Sequence, residues 1–327
     1  MAEPAVEVRG LRKSYGDIEA VRGIDLTVAR GEVFALLGPN GAGKTTAVEI
    51  LEGHRERTSG EVRVLGYDPA TGGRAFKERI GVVLQETGVE PYLTVEESIE
   101  LYRGYYPHPR PLDEVLQLVG LTEQRARRVI KLSGGQQRRL DVAIGLAGDP
   151  ELFFLDEPTT GFDPAARREA WDMVRGLQAL GKTIFLTTHY MDEAEHLADR
   201  VAIIRRGEIV AEGTPRDLVT QDANAIIRFQ LPAGAPDILA GLEGFKSGSD
   251  GLVSTETETP TRVLYELTRR AHEMGIELFD LSVTRPTLED AYLRLVAEPG
   301  DAMSSPTTEY REQPDAGSRR RRRAGSR

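Results

Sequence analysis

A chain of 327 residues with a formal net charge of −10 is long enough for two domains and too acidic for a general affinity for nucleic acid. It contains no cysteine, which excludes disulfides and is compatible with a reducing compartment. Its first residues carry neither a basic region nor an apolar stretch, so no secretory leader is expected there. No uninterrupted apolar run approaches the ~20 residues that a membrane-spanning helix needs.

Residues 6–9, 24–28 and 61–65 alternate as half-buried strands and are expected to form an antiparallel edge region beside a parallel core. Residues 32–37 (EVFALL) read as a buried strand. They run into GPNGAGKTT at 38–46 and then into a helix opening. Strand, glycine loop and helix are the context that a phosphate-binding loop requires. The candidate cradle is Gly38, Pro39, Asn40, Gly41, Ala42, Gly43, Lys44, Thr45 and Thr46. Its glycines let the backbone curl so that N–H groups point at phosphate oxygens, and the helix start adds a positive dipole end. Lys44 is expected to reach the outer phosphates, and the Thr45 hydroxyl to ligate Mg²⁺.

Residues 80–84 form a short apolar strand ending at Gln85, where a glutamine can orient water and complete a metal shell. Residues 94–147 read as mostly helical, opening on a capping box at Thr94-Val95-Glu96-Glu97 and broken by a proline-rich loop at 105–111. LSGGQQ at 132–137 precedes another helix. Ser133 suits its N-cap, and Gly134 and Gly135 expose N–H groups beside Gln136. By itself that is as well read as a capped surface helix. Residues 151–158 (ELFFLDEP) form an apolar strand ending in two carboxylates. Asp156 sits where open α/β sheets place ligands and suits Mg²⁺. Glu157, one residue on, can accept the proton of an attacking water. The plainer alternative is two acids closing a strand before a proline turn. Residues 183–188 are a further buried strand, followed by His189, a position more often structural than catalytic outside an ATP-type sheet.

In this order the motifs resemble those of the nucleotide-binding domain of ABC transporters, over roughly residues 5–220. GPNGAGKTT matches Walker A, Gln85 the Q-loop, LSGGQQ the signature and LFFLDEP at 152–158 Walker B. Gly161-Phe162-Asp163 resembles the D-loop, with Phe162 where leucine is commoner, and His189 the switch histidine. The resemblance implies a P-loop NTPase of the ABC type, with a parallel core sheet, an antiparallel subdomain and a helical subdomain. It implies ATP and Mg²⁺ as cofactors and Tyr15 as the residue stacking on adenine. It implies catalytic parts for Lys44, Gln85, Glu157 and His189, metal ligation by Thr45, Gln85 and Asp156, and Asp163 beside the nucleotide. It further implies a head-to-tail homodimer in which Ser133, Gly134, Gly135 and Gln136 of one subunit close over the ATP of the other. A separate permease would then carry the membrane passage, with this chain at the cytoplasmic face of the membrane.

Residues 201–204 start a hairpin turning at Arg206-Gly207-Glu208, and a short helix opens at Pro215. Beyond it the pattern changes to strands at 225–231, 251–255 and 276–283 and helices at 236–241, 260–275 and 286–297. The expected organisation is a nucleotide-binding domain over 5–222, a small α+β domain over 224–297, ferredoxin-like in outline, and a disordered tail over 298–327. The tail carries Arg319, Arg320, Arg321, Arg322 and Arg323, which read as a solvated run or as a contact for anionic lipid. THYMDEAE at 188–195 and TLEDAYL at 287–293 are similar to the daunorubicin-resistance branch of drug-exporter ATPases. The rival readings are an ABC-type ATPase of translation or DNA repair and a P-loop kinase. A single motif set without sustained heptads speaks against the first, and the signature against the second.

Overall fold

The computed structural model describes residues 3–83, 88–220, 224–232, 238–239, 244–248 and 251–296. Gln85 lies outside these residues, as do the whole stretch 298–327 and its arginine run.

The chain opens with β1 (Val6–Tyr15) and β2 (Ile18–Val28), an antiparallel pair running from Val6↔Val28 to Tyr15↔Ile18. It then enters the interior as β3 (Val33–Leu37), all five residues of which are buried. The phosphate loop turns it into α1 (Lys44–Leu51), and β4 (Ser59–Val64) returns to pair with β1. The result is a three-stranded antiparallel sheet in the order β2-β1-β4. β1 and β2 are longer than their alternating patterns predict, because register shifts beyond Val8 interrupt the period while the ladder continues.

Next come α2 (Gly73–Lys77), β5 (Ile80–Val83) and a helical region of α3 (Val95–Arg103), α4 (Leu112–Leu118) and α5 (Gly134–Leu146). The Thr94 capping box forms as expected: Glu97 N donates to Thr94 Oγ1 at 3.2 Å, and Thr94 N donates to Glu97 Oε2 at 2.8 Å. β6 (Leu152–Asp156), α6 (Pro164–Ala179), β7 (Thr183–Thr188) and α7 (Met191–Leu197) alternate after it. The hairpin β8 (Arg200–Arg205) and β9 (Glu208–Gly213) and the short α8 (Pro215–Thr220) follow. The sheet they build runs β5-β6-β7-β3-β8-β9, parallel except for β9.

Apolar residues fill the central strands because both sheet faces are covered. Val33, Ala35 and Leu37 of β3 enter one core with the helical region, and Phe34 and Leu36 enter a second core with α1 and the antiparallel sheet. β6 divides in the same way, Phe153 and Leu155 against Leu152 and Phe154. In the second core the Phe185 ring stands 5.4 Å from that of Phe34 and 5.7 Å from that of Phe154. Two-sided burial turns alternation into an unbroken apolar run.

The C-terminal part contains β10 (Ala225–Gln230), β11 (Phe245–Ser247), β12 (Leu252–Thr257), α9 (Pro260–Met274), β13 (Phe279–Thr284) and α10 (Leu288–Val296). Its four strands form a separate antiparallel sheet, β11-β12-β10-β13, around Ile227, Phe229, Ile238, Val253 and Leu267. β11, at three residues, is too short to give a period. Most of the helix expected at 236–241 lies outside the described residues, and Ile238 and Leu239 form a turn. α10 leaves this sheet and packs on α7 and α8, where Leu288 and Tyr292 join Leu197 and Leu218 in the first core. Among the described residues no helix is long and apolar enough to cross a membrane.

One buried acid carries a measurable consequence. Glu52 follows α1 at 3% exposure, with His54 Nδ1 3.2 Å from its carboxylate. Burial, then the negative charges of Asp156 and Glu49, push its pKa from 4.5 to about 8. Folded Glu52 therefore keeps its proton where the unfolded chain releases it. Its contribution to stability is full below pH 4.5 and is lost as the pH rises toward 8. Glu52→Gln, which holds no ionisable proton, is expected to gain on the wild type between about pH 5 and about pH 8.5. The gain should amount to roughly 1–2 °C in Tm for each ~1 kcal/mol, the scaling for a chain of this size. A Tm difference independent of pH would show that Glu52 is ionised throughout.

Candidate active site

The phosphate loop is shaped by two close approaches. A Cβ on Gly38 would lie 2.4 Å from Ile204 O of β8. Gly43 has φ 107°, and a Cβ there would meet Ala20 O at 2.5 Å. Any larger residue would push the loop off the sheet rim, so glycine at these two positions is required by geometry. Gly38 N donates to Thr188 O at 3.3 Å, which ties the loop to the end of β7.

Lys44, 5% exposed, extends along the loop and donates to Gly38 O at 2.8 Å and to Pro39 O at 3.3 Å. Its ammonium also lies 3.3 Å from Glu157 Oε1. The other oxygen, Glu157 Oε2, accepts from Thr160 Oγ1 at 3.1 Å and stands 3.2 Å from His189 Nδ1. Burial alone would raise the Glu157 carboxyl, but Lys44 and His189 outweigh it and hold the group below the ordinary glutamate range. Glu157 is thus an ionised carboxylate at neutral pH, between a fixed cation and an imidazole.

The backbone of Glu157 is unusual. Its φ is +45°, a left-handed conformation that non-glycine residues adopt only when their surroundings hold them there. Thr187, fully buried on β7, holds it: Glu157 N donates to Thr187 Oγ1 at 3.1 Å, while the same hydroxyl donates to Asp156 Oδ1. One hydroxyl therefore orients both acids at the end of β6. Thr187 carries no local sequence signal beyond the paired threonines before His189, and Thr160 carries none.

The structure brings Lys44, Asp156, Glu157 and His189 to one rim, with Thr45 exposed beside Lys44 in the first turn of α1. Tyr15, 40% exposed, ends β1 with its ring centre 5.0 Å from Lys13 Nζ and 5.3 Å from the Arg55 guanidinium. Ser133 caps α5 reciprocally with Gln136: Gln136 N donates to Ser133 Oγ at 3.2 Å, and Ser133 N donates to Gln136 Oε1 at 3.1 Å. A Cβ on Gly134 or Gly135 would meet nothing within 4 Å, so this helix start faces open space. Asp163 N-caps α6, accepting at Oδ1 from Ala165 N and Ala166 N, each at 2.9 Å. Among the described residues, neither Ser133 nor Asp163 makes a hydrogen bond or ion pair with Lys44, Asp156, Glu157 or His189.

A phosphate loop feeding a parallel sheet, with paired acids on the next strand but one, defines a P-loop ATPase, and known proteins narrow the class. The family model for the ABC transporter matches residues 21–160. The chain is 38% identical to the daunorubicin resistance ATP-binding protein DrrA3 of Streptomyces coeruleorubidus, covering 91% of this chain and 98% of that protein. It is also 38% identical to the Nod factor export ATP-binding protein I of Rhizobium sp. (strain N33), covering 90% and 98%. Among solved structures it is similar to cbiO1 from Clostridium perfringens, described as part of an ABC transporter complex, at 28% identity and TM-score 0.61, covering 67% of this chain and 92% of that one. It is similar too to a dimeric ATP-binding cassette in a post-hydrolysis state with ADP and Pi, at 26% identity and TM-score 0.57, covering 64% and 98%. The chain belongs to the ATP-binding proteins of ABC transporters and is an ATP-hydrolysing subunit of that family.

The Thr187 clamp is open to a direct check. Thr187→Val keeps the shape of the side chain but removes the hydroxyl that both acids use. Its kcat for ATP hydrolysis is expected to fall on the order of 10–100-fold, the scale that ångström-level misplacement produces. Thr187→Ser should restore most of the rate in the same steady-state assay. Wild-type turnover by folded Thr187→Val would mean the clamp does not position the acids.

Proposed function

We propose that this chain is the motor subunit of an exporter for drugs or similar amphipathic compounds, working as a head-to-tail homodimer on a separate permease at the cytoplasmic face of the membrane. The observation that carries the reading is the Lys44–Glu157–His189 cluster, with contacts of 3.3 and 3.2 Å, together with a second, open helix start at Ser133 that the chain's own cluster does not use. Relatives named for daunorubicin resistance and for Nod factor export each align along nine-tenths of the chain, which supports export as the task.

In this reading Lys44 and the loop N–H groups hold the outer phosphates of ATP. Thr45 and Asp156 offer the hard oxygen donors that Mg²⁺ prefers. The Lys44–Glu157 contact at 3.3 Å joins the elements that carry these two donors, which supports one shared site for the ion. Gln85 would complete the set. Thr45, Asp156 and Gln85 would hold Mg²⁺, which would supply positive charge to offset the negative charge developing on the phosphate. Glu157 takes the proton of the attacking water, and His189 beside it keeps that carboxylate in place. Tyr15 stacks on the base. Ser133, Gly134, Gly135 and Gln136 of the partner close the cage, with the α5 dipole directed at the γ-phosphate, and Asp163 lies beside the nucleotide. A two-fold axis then gives two equal sites. We divide the chain into this motor (5–222), an assembly and coupling part (224–297) and the basic tail (298–327).

Glu157→Gln is expected to bind ATP with near wild-type affinity and to hydrolyse it roughly 10²–10⁴-fold more slowly, the range of a lost general base. Near-normal turnover of the purified variant would remove Glu157 from that part. The composite cage has its own test. Lys44→Ala and Ser133→Arg subunits each lack every intact site as homodimers, whereas their heterodimer has one. Mixing them should restore ATP-driven dimerisation, read by light scattering. If ATP dimerises the wild type and mixing restores nothing, Ser133 does not serve the partner's site.

A further inference from the structure

Glu193 stands outside the proposed chemistry. It lies in the first turn of α7, four residues after His189, with no solvent exposure. A carboxylate removed from water needs partners. Thr159 Oγ1, two residues beyond Glu157, donates to Glu193 Oε1 at 2.8 Å. Trp171 Nε1 of α6 donates to the same oxygen at 3.3 Å. Thr188, which precedes His189, holds the other end of that turn: its hydroxyl accepts from Tyr190 N at 2.9 Å. Arg138 of the signature helix α5 is also buried, 3.9 Å from Asp141, and its charge is attracted by Asp156 and Glu193. The turn after Glu157, the end of β7 and α6 therefore meet at one side chain, with the charge of Arg138 on α5 attracted to it.

Each contact has a consequence for the site. The turn from Glu157 to Thr160 reverses the chain through a left-handed residue, which must be held from outside. Thr187 holds it on the β7 side, and Glu193 holds it through Thr159 on the α7 side. Because Glu193 sits on the helix that follows His189, the same hydrogen bond ties the turn after Glu157 to that helix. Burial pushes the Glu193 carboxyl up, and the hydroxyls of Thr188 and Thr159 and the Trp171 indole offset part of that.

We propose that Glu193 is a positioning residue for hydrolysis, holding the Glu157 turn and the His189 turn at a fixed separation through its bond to Thr159. The inference rests on Glu157 and His189 carrying the hydrolytic step. Thr159→Val removes the donated bond without changing side-chain shape. It should lower kcat about tenfold, as misplacement of a reacting group does, while ATP affinity stays within about twofold because the phosphate loop is untouched. Thr159→Ser should recover the rate. Glu193→Ala should fall at least as far, Glu193→Gln, which keeps an acceptor at Oε1, should fall less, and Thr159→Val with Glu193→Ala should be no slower than Glu193→Ala alone.

The assays use the full chain, with thermal melts establishing that each variant is folded. A folded Thr159→Val that turns over at the wild-type rate overturns the proposal, and so does a Thr159→Ser that recovers nothing. Should Glu193→Ala not fold, the Thr159 pair still decides. Glu157→Gln run in parallel separates the two levels. If it too hydrolyses normally, the assignment of the base has failed, whereas a slow Glu157→Gln beside a normal Thr159→Val removes only the part given to Glu193.

Discussion

The site depends on a buried ammonium. Lys44 is almost fully withdrawn from water, and an uncompensated charge there would destabilise the fold severely. Compensation comes from two loop carbonyls and from Glu157, groups drawn from the loop after β3 and the end of β6. These strands are not neighbours, since β7 lies between them. The charge at Lys44 therefore spans the central strand and makes the rim of the sheet one electrostatic unit. Phosphate oxygens are a natural counter-charge for it, because they are anionic acceptors.

The same burial explains the left-handed turn at Glu157. A carboxylate placed one residue beyond a parallel strand points away from the rim unless the backbone reverses at once. The reversal uses a positive φ, and the molecule meets that strain with neighbouring hydroxyls: Thr187 from below, Thr160 at the carboxylate and Thr159 toward α7. Hydroxyls suit the task because each both donates and accepts, so a single Thr187 serves two acids. The two acids at the end of β6 are thereby held by neighbouring hydroxyls.

Much of the fold was legible because both faces of its central sheet are covered. EVFALL, LFFLD and TIFLTT have no polar face, and glycine, lysine and acid punctuation at their ends marks the ligand rim. The Ser133 cap was legible because capping is local. The supporting groups were not. Thr159, Thr187 and Glu193 look like ordinary polar residues of a strand end and a short helix. What makes them matter is contact across about 30 positions, 31 of them from Asp156 to Thr187 and 34 from Thr159 to Glu193. No local period records such a separation. β11 was missed for a different reason: three residues, two of them exposed, carry no pattern, and their pairing with β12 comes from the sheet around them.

The placement of α10 follows from a shortage of cover. α7 has seven residues and α8 six, too few to bury their own apolar faces, and Leu197 and Leu218 need a lid. Leu288 and Tyr292 provide it, although about 70 residues and a whole antiparallel sheet intervene after α8. The helix they cover is the one that follows His189 and carries Glu193. Packed side chains of α10 thus join the C-terminal part to the helix that begins two residues after His189.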